Sequence, residues 1–170
     1  MKRNAMTAAA LAVLAFAVPT RAEQVTLRIE GVHADADGEA IAKALSELPT
    51  VKVTTTPTKE KPTTVLTCDV EKTDLGEIAK AVAATKTANR EKGAPAALLV
   101  LGYERLDGSA AADEVYLPKK VEAAFAKLKG VDAKQCKLDT KQKQLLIKLD
   151  DQGGAKLADI KTGFPGLSLK

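Results

Sequence analysis

The stretch Val25-Thr-Leu-Arg-Ile-Glu-Gly31, Val32-His-Ala-Asp-Ala-Asp37, Gly38-Glu-Ala-Ile-Ala-Lys-Ala-Leu-Ser-Glu-Leu48 reads as a strand, a turn and a helix. Val25, Leu27 and Ile29 alternate with Thr26, Arg28 and Glu30, the two-residue period of a half-buried strand. Ile41, Ala44, Leu45 and Leu48 then fall at i, i+3, i+4, i+7 and draw one apolar stripe along a helix. Asp37 suits the N-cap of that helix, and Glu39 lies in its first turn, where the helix dipole favours an acid.

Working outward, Thr50 to Thr56 reads as a strand with Val51 and Val53 inward. The polar run from Thr54 to Thr64, with Pro57 and Pro62, reads as the tip of a long hairpin. Val65 to Val70 is the return strand, with Leu66, Cys68 and Val70 on one face. Asp74 opens a second helix with Glu77 three residues on, and Leu75, Ile78, Ala79 and Val82 form its stripe.

Ala96 to Tyr103 is a strand-length apolar run. It fits as the fourth strand of the first unit, the reading we favour, or as the opening strand of a second. Val115 to Leu117 is expected as a short strand. Pro118 suits the first turn of a helix carrying Val121, Ala124, Phe125 and Leu128. Val131 to Leu138 and Leu145 to Leu149 read as strands, Lys156 to Lys161 as a short helix, and Leu167 to Leu169 as an edge strand. The pattern repeats itself. Ile41, Ala44, Leu45 and Leu48 match Val121, Ala124, Phe125 and Leu128, and Leu66 and Cys68 match Leu145 and Ile147. Leu75 and Ile78 match Leu157 and Ile160, and Gly93-Ala-Pro95 has its echo in Gly163-Phe-Pro165.

The N-terminus reads as a secretory signal over residues 1–22. Lys2 and Arg3 precede an apolar run from Ala8 to Val18, and small residues stand at Thr20 and Ala22. That run is far shorter than the roughly 20 residues of a spanning helix. The expectation is an exported, periplasmic or secreted protein with no membrane span after cleavage. Cleavage would remove Lys2, Arg3 and Arg21, leaving 23 of the 26 basic side chains against 22 acids. This near-neutral balance, with 3% aromatic residues and no Trp, argues against nucleic acid as a partner. Two cysteines permit one disulfide and do not make a disulfide scaffold.

The strand–helix–strand–strand–helix–strand order predicts an α+β fold of two tandem ferredoxin-like (βαββαβ) units with antiparallel sheets. The domains are expected at 23–103 and, more degenerate, at 104–170. Val25 to Val82 resembles the heavy-metal-associated domain of copper chaperones and metal-transporting ATPases. The resemblance is carried by Val25-Thr-Leu-Arg-Ile-Glu-Gly31, Ile41-Ala-Lys-Ala-Leu45 and Val51-Lys-Val53, and is weaker in Val121-Glu-Ala-Ala-Phe125 and Leu128-Lys-Gly-Val131. The family's loop, Gly-Met-Thr-Cys-x-x-Cys, implies two thiolates clamping a soft ion such as Cu(I). Here Ala34 stands at the first cysteine position and Asp37 at the second, and Gly102-Tyr-Glu-Arg-Leu-Asp107 in the second unit also lacks thiols. The resemblance therefore implies a degenerate member without its thiolate clamp.

His33, Asp35, Asp37 and Glu39 offer one nitrogen and several oxygens to a borderline ion, against a plainer reading as cap, dipole partner and solvated loop. Cys68 is expected in the core and Cys136 near the surface. No catalytic residue is assigned. The chain has one His, no serine in a nucleophile-elbow context and no phosphate-cradling glycine loop. The leading expectation is a non-enzymatic binding or adaptor module with no cofactor, for which an unidentified protein is a candidate partner. Two alternatives remain: metal binding through His33 and nearby acids or through Cys68 and Cys136, and a small exported enzyme.

Overall fold

The computed structural model describes residues 22–69, 71–88, 93–108 and 112–170. The expected signal segment up to Arg21 and the inward position Val70 lie outside the described residues. The chain forms β1 (Ala22–Glu30), α1 (Asp35–Ser46), β2 (Val51–Val53), β3 (Thr63–Asp69), α2 (Leu75–Ala84) and β4 (Ala96–Arg105). It continues through α3 (Asp113–Tyr116), α4 (Pro118–Phe125), β5 (Lys137–Asp139), β6 (Gln144–Lys148), α5 (Leu157–Thr162) and β7 (Leu167–Leu169). Among the described residues no helix is long and apolar enough to cross a membrane.

Periodicity explains most of these elements. Val25, Leu27 and Ile29 are buried, while Arg28 and Glu30 on the opposite face are exposed. Ile41 and Leu45 of α1, all four stripe residues of α2, and Val121, Ala124 and Phe125 of α4 join the same core cluster. Asp74 caps α2 by accepting the Gly76 N–H at 2.7 Å.

The strands make one sheet in the order β2-β3-β1-β4-β6-β5, with β7 beside the far end of β4 and every pairing antiparallel. Strands β2-β3-β1-β4, with α1 and α2, are one ferredoxin-like unit. Strands β7-β4-β6-β5, with α4 and α5, are a second. The two units follow one another along the chain and share β4. Ala96 to Val100 pairs with β1 and closes the first unit. Tyr103 to Arg105 pairs with β7 as the first strand of the second. The expected boundary at residues 103 and 104 falls inside this unbroken strand.

The pairings of one half repeat in the other. Val25 faces Leu66 as Leu101 faces Leu145, and the equivalent strands β1 and β4 are themselves antiparallel neighbours. Asp74 and Lys156, which precede the matching helix positions Leu75 and Leu157, bridge one another antiparallel. Around that point Leu75 donates its N–H to the Ala155 carbonyl at 2.9 Å, and Gly154 donates to Asp74 Oδ1 at 3.2 Å. The backbones come so close that a Cβ on Gly76 would lie 2.2 Å from the Gly153 Cα.

Three expectations need correction. Val115 to Leu117 is not a strand: α3 begins at Asp113, and Leu117 donates its N–H to the Asp113 carbonyl at 3.0 Å, so the chain turns helically into α4. Three apolar-rich residues are too few to separate the two periods. The strand expected over Val131 to Leu138 is broken. Val131 makes one bridge to Leu149, then a 3-10 turn spans Ala133–Gln135, nucleated by the Asp132 side chain accepting the Lys134 N–H at 3.2 Å. Finally, Gly102 to Arg105 is strand rather than metal-loop analogue, because β7 supplies its partners.

Because one core and one sheet join the halves, unfolding is expected to be a single transition. Leu27→Ala and Ile147→Ala, in opposite halves and both fully buried, should each cost about 3 kcal/mol and lower the same urea midpoint. Circular dichroism and residue-resolved NMR probes in each half would reveal two separable transitions if the halves were independent.

Candidate functional site

The loop Gly31 to Asp37 links β1 to α1 and is where the family resemblance places a metal clamp. Helix α1 starts at Asp35, two residues ahead of the expected cap, so Ala34 occupies the N-cap position and Asp37 the third helical position. From there the Asp37 carboxylate reaches back. Its Oδ2 accepts the N–H groups of His33 at 2.9 Å and Ala34 at 3.0 Å. Its Oδ1 accepts the Ala88 N–H at 2.7 Å, from the segment that follows α2. Asp37 is 3% exposed.

These contacts fix its electrostatics. The Ala88 N–H holds the carboxyl below its ordinary range against the opposing effect of burial, with help from the His33 and Ala34 N–H groups. A buried carboxylate with three backbone donors is a tie between chain segments, and both of its oxygens are engaged. Asp35, by contrast, accepts the Lys59 N–H at 3.1 Å from the β2–β3 connection. That connection does not project into solvent as a free hairpin tip. Pro57 is buried over the start of α1, and a Cβ on Gly38 would lie 1.7 Å from the Pro57 carbonyl oxygen. The loop is thus covered from two sides by residues 57–59 and 85–88. Among the described residues no three His, Cys, Asp or Glu side chains gather where they could hold a metal ion.

The cysteines lie apart. Cys68 on β3 is 1% exposed, inside the core, and burial pushes its thiol up. Cys136 precedes β5 and is half-buried at the core's edge; its thiol donates to the Asp132 carbonyl at 3.3 Å. Burial raises it to about 11. Both thiols are free. Strands β3 and β5 stand four positions apart in the sheet, a separation of roughly 19 Å at the usual strand spacing. The structure does not bring the two sulfurs together.

The second half carries a cluster that sequence reasoning did not single out. Arg105 pairs with Asp107 through Nε at 3.0 Å and Nη2 at 2.9 Å, and with Asp113 through Nη1 at 3.4 Å. The Tyr103 hydroxyl donates to Asp113 Oδ2 at 3.0 Å, and burial with that carboxylate pushes the phenol far up. The Arg105 guanidinium lies 4.4 Å from the Tyr116 ring centroid. The signal was available in the alternation that puts Tyr103 and Arg105 on the inward side of β4, but the loop residues that meet them are brought there only by α3.

No family model matches the chain, and no curated protein does. Among solved structures, the chain is similar to the water-soluble region of the P-type ATPase CopA from Bacillus subtilis. The identity is 16%, over 89% of this chain and 93% of that one, with a TM-score of 0.36. A solution structure of the N-terminal soluble domains of Bacillus subtilis CopA gives 16% identity, 89% and 94% coverage, and a TM-score of 0.37.

Replacing Asp37 by Ala orphans three backbone donors and should cost about 2–3 kcal/mol, read as a lowered urea midpoint at pH 7. The pH dependence has a definite sign. The folded carboxyl is depressed, so its contribution is complete above the ordinary carboxylate range and is lost as pH falls through the folded value. Asp37→Asn should therefore flatten the acid side of the stability profile, whereas an unchanged profile would assign the acid sensitivity to other groups. The thiols give a second expectation. With Cys136 near 11, about one thiol in a thousand is ionised at pH 8. Labelling of both cysteines in native protein should be at least about tenfold slower than in urea, as followed by a chromogenic disulfide reagent.

Proposed function

We propose that this chain is an exported, non-enzymatic binding or adaptor protein built on a doubled scaffold of the heavy-metal-associated type, with the thiolate clamp replaced by a structural carboxylate. The observation that carries this reading is Asp37. At the position where the resemblance expects the second thiolate stands a buried carboxylate, satisfied by N–H groups of His33, Ala34 and Ala88. Ala34 at the other position offers no donor atom.

The donor chemistry supports the same reading. Two thiols are the chain's whole complement; Cys68 lies on β3 and Cys136 just ahead of β5, four strand positions away. Soft-ion capture needs two thiolates at one point. Function then falls to the surface, and the partner class that fits a near-neutral surface poor in aromatics is another protein.

The test is metal uptake. Equilibrium dialysis of the purified chain under reducing conditions against Cu(I), Zn(II) and Ni(II) should give no stoichiometric binding. One ion bound per chain, lost in His33→Ala, would overturn the proposal in favour of a site built from His33 and its neighbouring acids. Uptake lost instead in Cys68→Ser or Cys136→Ser would overturn it in favour of the thiols.

A further inference from the structure

The two halves differ at one equivalent place. In the first half, the segment after α2 folds over the start of α1, with Thr85 and Thr87 buried and the Ala88 N–H fixed to Asp37. In the second half, the matching helix register puts Leu117 where Asp37 stands, so there is no carboxylate to tie such a segment down. The connection from α5 to β7 is also cut to Gly163-Phe-Pro-Gly166, too short to cross α4. What remains is a groove of about 410 Å³ between α4 and this connection.

The lining of the groove has two characters. Tyr116, Leu117, Val121, Ala124, Phe164 and Leu167 make an apolar floor and wall. Phe164 is held edge-on against Phe125, with ring centroids 5.4 Å apart and planes at 80°, so this wall is fixed in place. At the rim, two cations flank Tyr116. Arg105 is matched by Asp107 and Asp113. The Lys120 ammonium, 3.8 Å from the ring centroid and bonded to the Tyr116 hydroxyl, has no ion pair among the described residues. A concave, largely apolar surface of a few hundred Å³ whose charged lining is Arg105, Asp107 and Lys120, two cations against one acid, has the make-up of a small-molecule site.

We propose that this groove binds a small amphipathic monocarboxylic acid, its apolar body against Leu117, Val121 and Phe164 and its carboxylate on Lys120. The charge at the rim selects an anion and the floor selects a hydrocarbon or aryl body. The volume suits a free acid of modest size. The site lies away from the Gly31–Asp37 loop and is independent of whether a metal binds there.

The test uses the full chain with sodium octanoate as probe and 1-octanol and octylamine as controls, followed by amide chemical shifts. Octanoate should produce saturable shifts centred on Tyr116, Lys120 and Phe164, and bind more tightly than either control. Lys120→Gln, at an exposed helix position, should weaken octanoate about threefold to fivefold while leaving octanol unchanged, and Lys120→Arg should restore most of the loss. Shifts centred elsewhere, equal affinity for octanoate and octanol, or a Lys120→Gln variant that binds octanoate like the parent would each overturn the proposal.

Discussion

Backbone pairing along both sides of β4 is the constraint on which the molecule depends. On one side Ala96 to Val100 are taken by β1 and Tyr103 to Arg105 by β7; on the other Leu98 to Gly102 are taken by β6. A strand in this position has no free edge, and its inward residues Ala97, Leu99, Leu101 and Tyr103 are all buried. Two ferredoxin-like units normally need a linker between the last strand of one and the first of the next. Here the linker has length zero, and the two strands have become one.

That fusion dictates the rest of the architecture. Because β1 and β4 are antiparallel neighbours, the two units join along their first strands, and their helices pack into one core cluster. The second helices then approach each other by their N-terminal ends. Asp74 serves both, capping its own helix through Gly76 and accepting from Gly154 in the other half. The open face of the sheet is kept wet by long side chains. Arg28 and Lys148 flank Leu98 across the strands, and Lys148 pairs with Glu30 at 3.2 Å.

The matching helix registers show how the halves have diverged. Asp37 and Leu117 occupy one helical register and are equally buried, at 3% each. The carboxylate gathers three N–H groups and pulls a flanking segment over the helix. The leucine can gather none, and the helix start in that half is left beside an open apolar groove. One substitution class, polar for apolar at a buried helix start, thus separates a closed loop from an accessible one.

The sequence by itself determined the inward faces and the chain order of most elements. Alternation in β1 and the i, i+3, i+4 stripes of α1, α2 and α4 are local patterns, and burial followed them. It also determined the donor inventory, since no fold can supply thiols that the chain lacks. What it left open was the role of Ala96 to Tyr103, because an apolar run states that a strand is buried but not which neighbours bury it. It misread Val115 to Leu117 for want of length, and it took Asp37 for a simple cap because the Ala88 N–H arrives from 51 residues away. Only the tertiary structure decided those points. Strand sharing, the closing of the Asp37 loop and the groove beside Tyr116 all arise from contacts between segments distant in sequence, and periodicity carries no information about which segments meet.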